Sequence, residues 1–504
     1  MTKLAEDRVP VIIGVGQIND RPDNLADGLD SIGLMLAALQ IAEKDSGTDV
    51  LSKLDWLGVE DQMTFPNPAH HLDLAKQLPR IPREVVRTYD PSGDGPMGLL
   101  NEAANLIAAG RISVAATTGG EAFRTASKRA QEERDKNPGA AKADLMAEAS
   151  AAIALPHAKP YGLISPSEIY PLYEQATRAA WGQTLEKAQA ETGAIWAGNS
   201  RVAAANPHAW LRKETSAQEI IEPTADNRMI NYPYTKLMVA NPSINQGAAV
   251  IVTSLAMAKK LGVAEDRIVY VGHGAKAYEI DDYLRRENFT ESKSMAMSIN
   301  KTLEFNGVTA KDLDHVELYS CFPCVPKMAR RILDWPLDKP HSVYGGLTFG
   351  GAPVGNCMTH AACAMVDKLR ADHRDAKGLI FANGGFASHS HTILLSRQPG
   401  KDADKVVDYD CQALADATRG PAPELIERYE GPAMIESFCM PYGRKGAPAY
   451  AAVVARTPKG DRFLAHVPGD DEAMLKFLAG SEGEPVGTSG MAVRMEDGRQ
   501  RWTR

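Results

Sequence analysis

The chain of 504 residues contains no uninterrupted apolar run long enough for a membrane helix, so no transmembrane span is expected. Its six cysteines are too few for a disulfide scaffold in a chain of this length. A net charge of -8 argues against general binding to nucleic acid or to acidic membrane surfaces. The opening residues, Met1-Thr2-Lys3-Leu4-Ala5-Glu6-Asp7-Arg8, mix both charges and run into an apolar stretch, which is not the pattern of a secretory signal. A cytoplasmic protein is the expectation. No Gly-Lys-Ser phosphate loop and no Gly-x-Ser-x-Gly elbow occurs, and Gly14-Val15-Gly16 is followed by Asn19 where a dinucleotide fingerprint needs its third glycine. Cys321-Phe322-Pro323-Cys324 lacks the second cysteine pair or histidine cluster of a zinc site, so these are expected to be core thiols, with no metal and no resident cofactor.

The 44% hydrophobic content is that of a well-buried protein, and the length predicts two or three domains. Apolar strands alternate with amphipathic helices: Val9 to Ile18, Leu54 to Val59, Val85 to Tyr89 and Ile112 to Thr117 read as strands, with helices at Gly28 to Ala42, His71 to Gln77 and Met97 to Ala109. This rhythm predicts a largely parallel α/β sheet. Residues 123–245 break it and read as a helical insertion, after which Gly247 to Ala258 and Asp266 to Gly272 resume the strands. Helices over Lys293 to Phe305 and Pro326 to Leu333 follow, with strands at His315 to Leu318, Gly378 to Ala382 and Thr392 to Ser396.

The pattern repeats itself. Gly95 to Ile107 carries apolar residues at helical spacing and leads to a strand ending in Gly119-Gly120; Gly355 to Val366 does the same and leads to Gly384-Gly385. Two related halves are implied. Helix N-termini and glycine turns aim free N–H groups outward, which suits an anion or a developing oxyanion. After Arg397 comes a linker, and strands at Gly431 to Tyr442, Ala447 to Thr457 and Arg462 to Val467, with a helix at Glu472 to Leu478, predict a small all-β OB-like barrel. Residues 431–504 hold ten Lys or Arg against nine Asp or Glu, so the basic footprint of nucleic-acid binding is missing and a docking or lid role is favoured.

The duplicated halves, together with Gly119-Gly120-Glu121-Ala122, Val316-Glu317-Leu318-Tyr319-Ser320-Cys321-Phe322, Gly350-Gly351-Ala352-Pro353-Val354-Gly355 and Ala382-Asn383-Gly384-Gly385, resemble the thiolase superfamily. The similarity is greatest to acetyl-CoA acetyltransferase-like proteins related to the sterol-carrier-type thiolases, in the branch with an extra C-terminal domain. It implies an α/β duplicated thiolase fold with αβαβα layers, divided as an N-terminal half (1–122 and 246–265), a loop-domain insertion (123–245), a C-terminal half (266–400), a linker (401–430) and an OB-like domain (431–504). Acyltransferase chemistry on acyl-CoA in lipid metabolism, with coenzyme A or its thioester as ligand, is likewise implied by the resemblance.

The family's catalytic groups do not survive in the matching positions. Its nucleophilic cysteine corresponds to Gly93, the histidine of its Gly-His-Pro motif to Ala352, the cysteine of its Cys-x-Gly motif to Ala382, and the first residue of its Asn-Glu-Ala-Phe motif to Tyr319. Groups that act as one unit are not replaced singly, so ordinary thiolase turnover is expected to be absent or very weak. The resemblance leaves Gly93, Gly384 and Gly385 as backbone donors of an oxyanion-type hole, with Tyr319 beside them; glycines kept for packing are the equal alternative. Asp94 is expected to cap the helix with its own carboxylate. His389 is the possible substitute for the lost base, His389 and His391 being expected to point one into the pocket and the other away; His360 is expected to be packed inside a helix. Three readings follow: a CoA-binding protein without thiolase turnover, an acyltransferase or lyase using other groups, or a non-catalytic partner subunit or scaffold. A monomer or homodimer is implied, with no membrane and no nucleic-acid partner.

Overall fold

Buried strands alternate with the helices that shield them, and the computed structural model describes this arrangement over residues 4–137 and 145–504. The first half runs β1 (Pro10–Asn19), α1 (Ser31–Ser46), β2 (Trp56–Val59), α2 (His70–Ala75), β3 (Glu84–Arg87), α3 (Gly95–Ala108) and β4 (Val114–Ala122). The insertion then supplies α4 (Phe123–Lys136), α5 (Leu145–Ile153), α6 (Pro166–Ala180), α7 (Leu185–Ala205), α8 (Ala217–Ile221) and a hairpin of β5 (Met229–Asn231) and β6 (Tyr234–Thr235). It is helical, as its composition predicts. β7 (Asn245–Ser254) and α9 (Leu255–Leu261) close the half. The second half follows with β8 (Val269–Val271), β9 (Ala275–Tyr278), α10 (Lys293–Asn306), β10 (His315–Leu318), α11 (Cys324–Leu333), α12 (Cys357–Ala371), β11 (Lys377–Gly384) and β12 (His389–Ser396).

Strand pairing confirms the duplication. The first half has the order β3-β2-β4-β7-β1, with β2 parallel to β3 and β4, and β7 antiparallel to both β4 and β1. In the second half β10 is parallel to β11, while β12 is antiparallel to β11 and to β8. The half-sheets join into one ten-stranded sheet through a short antiparallel pairing of β1 with β8, Val11 against Tyr270 and Ile12 against Val269. Helices α3 and α12 touch each other and strands of both halves, whereas α1 covers β1, β7 and β4, and α10 covers β9 and β12. The resulting layers are α, β, α, β, α, and the two repeated helices form the middle one.

Gly14 and Gly16 find their use here. A Cβ on either would fall within 3.0 Å of the carbonyl oxygen of Ala42 or Ala38 on α1, so the pair lets strand and helix approach rather than cradle a pyrophosphate. Helix α1 begins later than the sequence suggests because Asp30 caps it, accepting from the Gly33 N–H at 2.8 Å, and it ends at Gly47 with φ 67. The strand expected to run to Ala258 stops at Ser254, whose hydroxyl accepts from the Met257 N–H and opens α9. Within the expected strand Asp266 to Gly272, the assigned strand is Val269–Val271, preceded by a 3-10 turn over Glu265–Arg267. Among the described residues no helix is long and apolar enough to cross a membrane.

Residues 401–430 are laid along the body and contain α13 (Gln412–Asp416): Asn105 Nδ2 donates to the Val407 carbonyl at 2.9 Å, and the Tyr409 hydroxyl to Glu102 at 2.8 Å. Beyond them β13 (Gly431–Cys439), β14 (Tyr450–Arg456), β15 (Arg462–Pro468), α14 (Glu472–Leu478), β16 (Ser489–Arg494) and β17 (Gln500–Thr503) form a closed five-stranded barrel around Ile435, Phe438, Phe463 and Trp502. The barrel is bolted down. Buried Arg462 donates to the carbonyls of Leu284 and Arg286 at 2.5 and 2.7 Å, and to Glu436 at 2.6 Å. The Tyr450 hydroxyl donates to the Gly162 carbonyl at 2.8 Å, and the Ser437 hydroxyl to that of Leu172 at 2.5 Å.

Candidate functional site

The turn Ser92-Gly93-Asp94 leads into α3, with Pro96 in the first turn, where its missing N–H is no loss. Gly93 is buried at the end of this turn. A Cβ built on it would lie under 3.0 Å from the Asn383 carbonyl oxygen and from the hydroxyl and Cζ of Tyr319. Gly93, Tyr319 and the Asn383–Gly384 strand end therefore meet at one spot, and a phenol already fills the room a side chain at position 93 would take. Burial, with Cys357 and Cys321 beside it, pushes the Tyr319 hydroxyl well above the ordinary phenol range. It is a neutral group at any working pH.

Cys357 is the first residue of α12, a position where a helix dipole favours a thiolate. Burial wins over that effect and over the Tyr319 hydrogen bond, and the Cys357 thiol is pushed up to about 12. Cys321, pushed to about 12 by burial, and Cys324, raised further by burial and Glu174, are equally inert core thiols, as expected. Ala352 and Ala382 are both buried; Ala352 donates its N–H to the Asn241 carbonyl at 3.0 Å, and Ala382 is held in β11 opposite His391. Neither carries a proton-moving group.

Asp94 does not behave as expected. Its carboxylate caps no backbone N–H of α3; instead Oδ1 accepts from the Ser92 hydroxyl and lies 3.5 Å from His389 Nδ1. The imidazole from β12 has displaced the cap by offering a charge as well as a donor. Gly384 makes this possible, because a Cβ there would fall within 3.0 Å of Asp94 Oδ1 and the Ser92 hydroxyl oxygen. The space between Gly93 and Gly384 is thus occupied by the chain's own side chains. His389 Nε2 is 3.4 Å from Asp281, and its ring lies 4.7 Å from that of Tyr278. His391 points the same way rather than the opposite way: residues two apart on a strand share a face, and α3 covers this one, so His391 Nε2 sits 3.1 Å from Asn101 Nδ2. Burial holds His391 down at about 4. His360 is packed in α12, 2.9 Å from Gln17 Oε1.

Burial pushes the Asp94 carboxyl up, but the hydrogen bond and charge of His389 outweigh it and leave the group below its ordinary value of 3.8. For His389 burial lowers the pKa, and the Asp94 hydrogen bond overrides it, leaving it above 6.5. The His389 contribution to stability is therefore complete below pH 6.5 and lost as pH rises through its folded value; that of Asp94 is complete above pH 3.8 and lost as pH falls through its own. Between these limits Asp94→Asn is expected to lower the melting temperature most. The same variant should shift the His389 NMR titration downward, and an unchanged titration would show that the pair is not coupled.

Three further residues, unnoticed in the sequence, complete the site. Glu60 is buried beneath the turn and accepts from the Ser92 N–H at 3.0 Å; burial drives its carboxyl well above the usual range. Tyr170 of α6 receives the Asn383 amide and the Ala387 N–H, both at 3.1 Å, and donates to the Gly385 carbonyl at 3.0 Å. Arg286 donates to the Phe386 carbonyl at 3.1 Å, which also receives the Tyr173 hydroxyl at 2.9 Å. The insertion thus fixes the Gly384-Gly385 turn from above. No local pattern marks these residues, since each acts across long stretches of chain.

Comparison with known proteins agrees with this architecture. Residues 414–498 match the family described as the thiolase-like protein type 1 additional C-terminal domain. The fold is similar to that of a monomeric SCP2-thiolase-like protein type 1 from Mycobacterium smegmatis, with 29% sequence identity, a TM-score of 0.82 and coverage of 99% of each chain. It is also similar to Acat5 thiolase from Ascaris suum solved with coenzyme A (15% identity, TM-score 0.56, covering 77% of this chain and 100% of that one). Human mitochondrial 3-ketoacyl-CoA thiolase shares it too, at 14% identity and TM-score 0.57, over 78% of this chain and 100% of that one. A sequence comparison with curated proteins gives no match. The thiolase resemblance read from the sequence is borne out, as is the appended barrel.

Proposed function

We propose that this thiolase-fold chain is a CoA-thioester-binding protein that does not carry out thiolysis or condensation. One observation carries the second half of this reading: the Tyr319 phenol and the Asn383 carbonyl stand where a nucleophile at position 93 would place its Cβ. The binding half is supported by the fold shared with a thiolase solved with coenzyme A, and is a reading by analogy. With acetoacetyl-CoA and CoA, purified protein is expected to show no thiolysis above the uncatalysed rate. Acetyl-CoA at about a hundred times its Kd is expected to add about 2.7 kcal/mol of stability, read as a rise in melting temperature. Thiolysis at ordinary enzymatic rates overturns the first half, and an unmoved melting curve at millimolar CoA and acetyl-CoA overturns the second.

The contact of Ser92, Asp94 and His389 supports a second reading, catalysis on an acyl-CoA by different groups. The hydroxyl and the imidazole both address the same carboxylate oxygen, so the imidazole is not placed to take the serine proton directly. That ordering favours a positioning role for His389 and leaves the non-catalytic reading ahead.

A further inference from the structure

Arg21 lies just beyond the end of β1, Arg124 is the second residue of α4, and Trp210 sits in the loop between α7 and α8. The Arg21 guanidinium carbon is 4.0 Å from the centre of the Trp210 ring, and that of Arg124 is 5.6 Å from it. Two cations thus share one indole. The Trp210 N–H donates to the Gly350 carbonyl at 3.0 Å, and Asn19 Nδ2 holds the carbonyls of His208 and Ala209 just before it, so the ring is a fixed platform. Trp210 is buried, whereas Arg21 is exposed and Arg124 half-buried.

No carboxylate balances the pair. Among the described residues neither arginine forms an ion pair, and Asp20, the neighbouring acid, accepts from the Leu29 N–H at 2.7 Å instead. Burial and the charge of Arg124 both hold Arg21 below the usual arginine range, with no acid opposing them. Arg21 Nη2 donates to the Trp210 carbonyl at 2.5 Å; its Nε and Nη1, and all the side-chain donors of Arg124, have no hydrogen-bond partner among the described residues. Arg124 also stands in the first turn of α4, which carries no acid and where the helix dipole is positive. Asn245 Oδ1 caps that turn, accepting from the Arg124 and Thr125 N–H groups at 3.0 and 3.2 Å, but it brings no charge. A single arginine would gain the attraction of the ring; the second gains it at the cost of repulsion.

From this uncompensated pair on a fixed platform we infer that Arg21 and Arg124 bind the phosphate or diphosphate group of a small molecule. A guanidinium presents a planar fork of donors that matches phosphate oxygens, and two forks suit a multiply charged anion. The group belongs to a free phosphate anion or to the phosphorylated end of coenzyme A, and only the second case rests on the proposed CoA-thioester function.

The intact protein at low salt is titrated by calorimetry with inorganic pyrophosphate, with CoA, and with pantetheine, which has the thiol arm of CoA and no phosphate. Pyrophosphate is expected to bind saturably at one site. Arg21→Gln and Arg124→Gln are each expected to weaken it at least about tenfold, whereas Arg444→Gln, an equal change of charge on an exposed turn of the barrel, leaves it unchanged. Loss of CoA affinity in the same two variants, with pantetheine unaffected, assigns the phosphates to CoA. CoA binding that ignores substitutions which weaken pyrophosphate assigns the site to a free anion. If pyrophosphate binds and CoA does not, the CoA-thioester reading falls and this one stands. No saturable pyrophosphate binding below about 1 mM, or one affinity shared by all three glutamine variants, overturns the inference. Should the glutamine variants lose their fold, Arg21→Lys and Arg124→Lys keep the charge but not the fork, and unchanged pyrophosphate affinity in both would overturn it as well.

Discussion

Gly93→Ala is expected to destabilise the protein by about 3 kcal/mol, at the upper end for overpacking, although it adds one methyl group. Two neighbours meet that methyl, and neither yields easily. The Asn383 carbonyl belongs to β11, whose position is set by pairing with Ser390 of β12, and the Tyr319 ring is buried among core side chains. Tyr319→Phe removes the hydroxyl but leaves Cζ and the carbonyl in place, so the double variant should recover only part of the loss. Gly93→Cys should be at least as destabilised and should not gain thiolysis, because Ala352 and Ala382 supply no base. Urea unfolding of the three variants reads the first effect, and an acetoacetyl-CoA assay reads the second. A Gly93→Cys protein with the wild-type midpoint would mean that the turn has room, and the sealed-site reading would fall.

Lys327→Met should cost about 3–5 kcal/mol, because it strips the partner from a buried carboxylate without leaving much of a cavity. Lys327 Nζ lies 2.6 Å from Glu174 Oε1 and 3.0 Å from the Ala188 carbonyl, and Glu174 Oε2 accepts from the Tyr234 hydroxyl at 3.0 Å. Both charged side chains are almost wholly buried, at 1% and 3% exposure, so water cannot rescue the survivor. Adding Glu174→Gln removes the stranded charge and keeps an acceptor for Tyr234, so the double variant should be more stable than Lys327→Met alone. Denaturant midpoints test this. If the two substitutions merely add, the pair is not coupled and the ion pair is incidental to the insertion's attachment.

Much of the fold was legible because it rests on local patterns. β10 and α14 were read at their observed bounds, and the repeated strand, helix and Gly-Gly units gave the duplication. Boundaries were missed where a single side chain sets them, as with Asp30 at α1 and Ser254 between β7 and α9. The residue types at Gly93, Ala352 and Ala382 are plain in the sequence, but what fills the space beside Gly93 is not. Tyr170 reaches Asn383 across 213 residues of chain, and Asp94 turns from its helix to a histidine on β12. Helical and strand periodicity carry no information on such partners. The same-face placement of His389 and His391 did follow from strand geometry, and was misread from sequence.

The Arg462 guanidinium reaches out of the barrel to hold the backbone of Leu284 and Arg286, and Arg286 in turn holds the Phe386 carbonyl of the glycine turn. Three parts of the chain that are remote in sequence are thereby mechanically in series. A chain cut before residue 431 would not be a plain thiolase body freed of an ornament. It would have a loosened brace behind the glycine turn that faces Gly93 and Asp94, and whatever it then bound or failed to bind would describe the damaged brace rather than the intact protein.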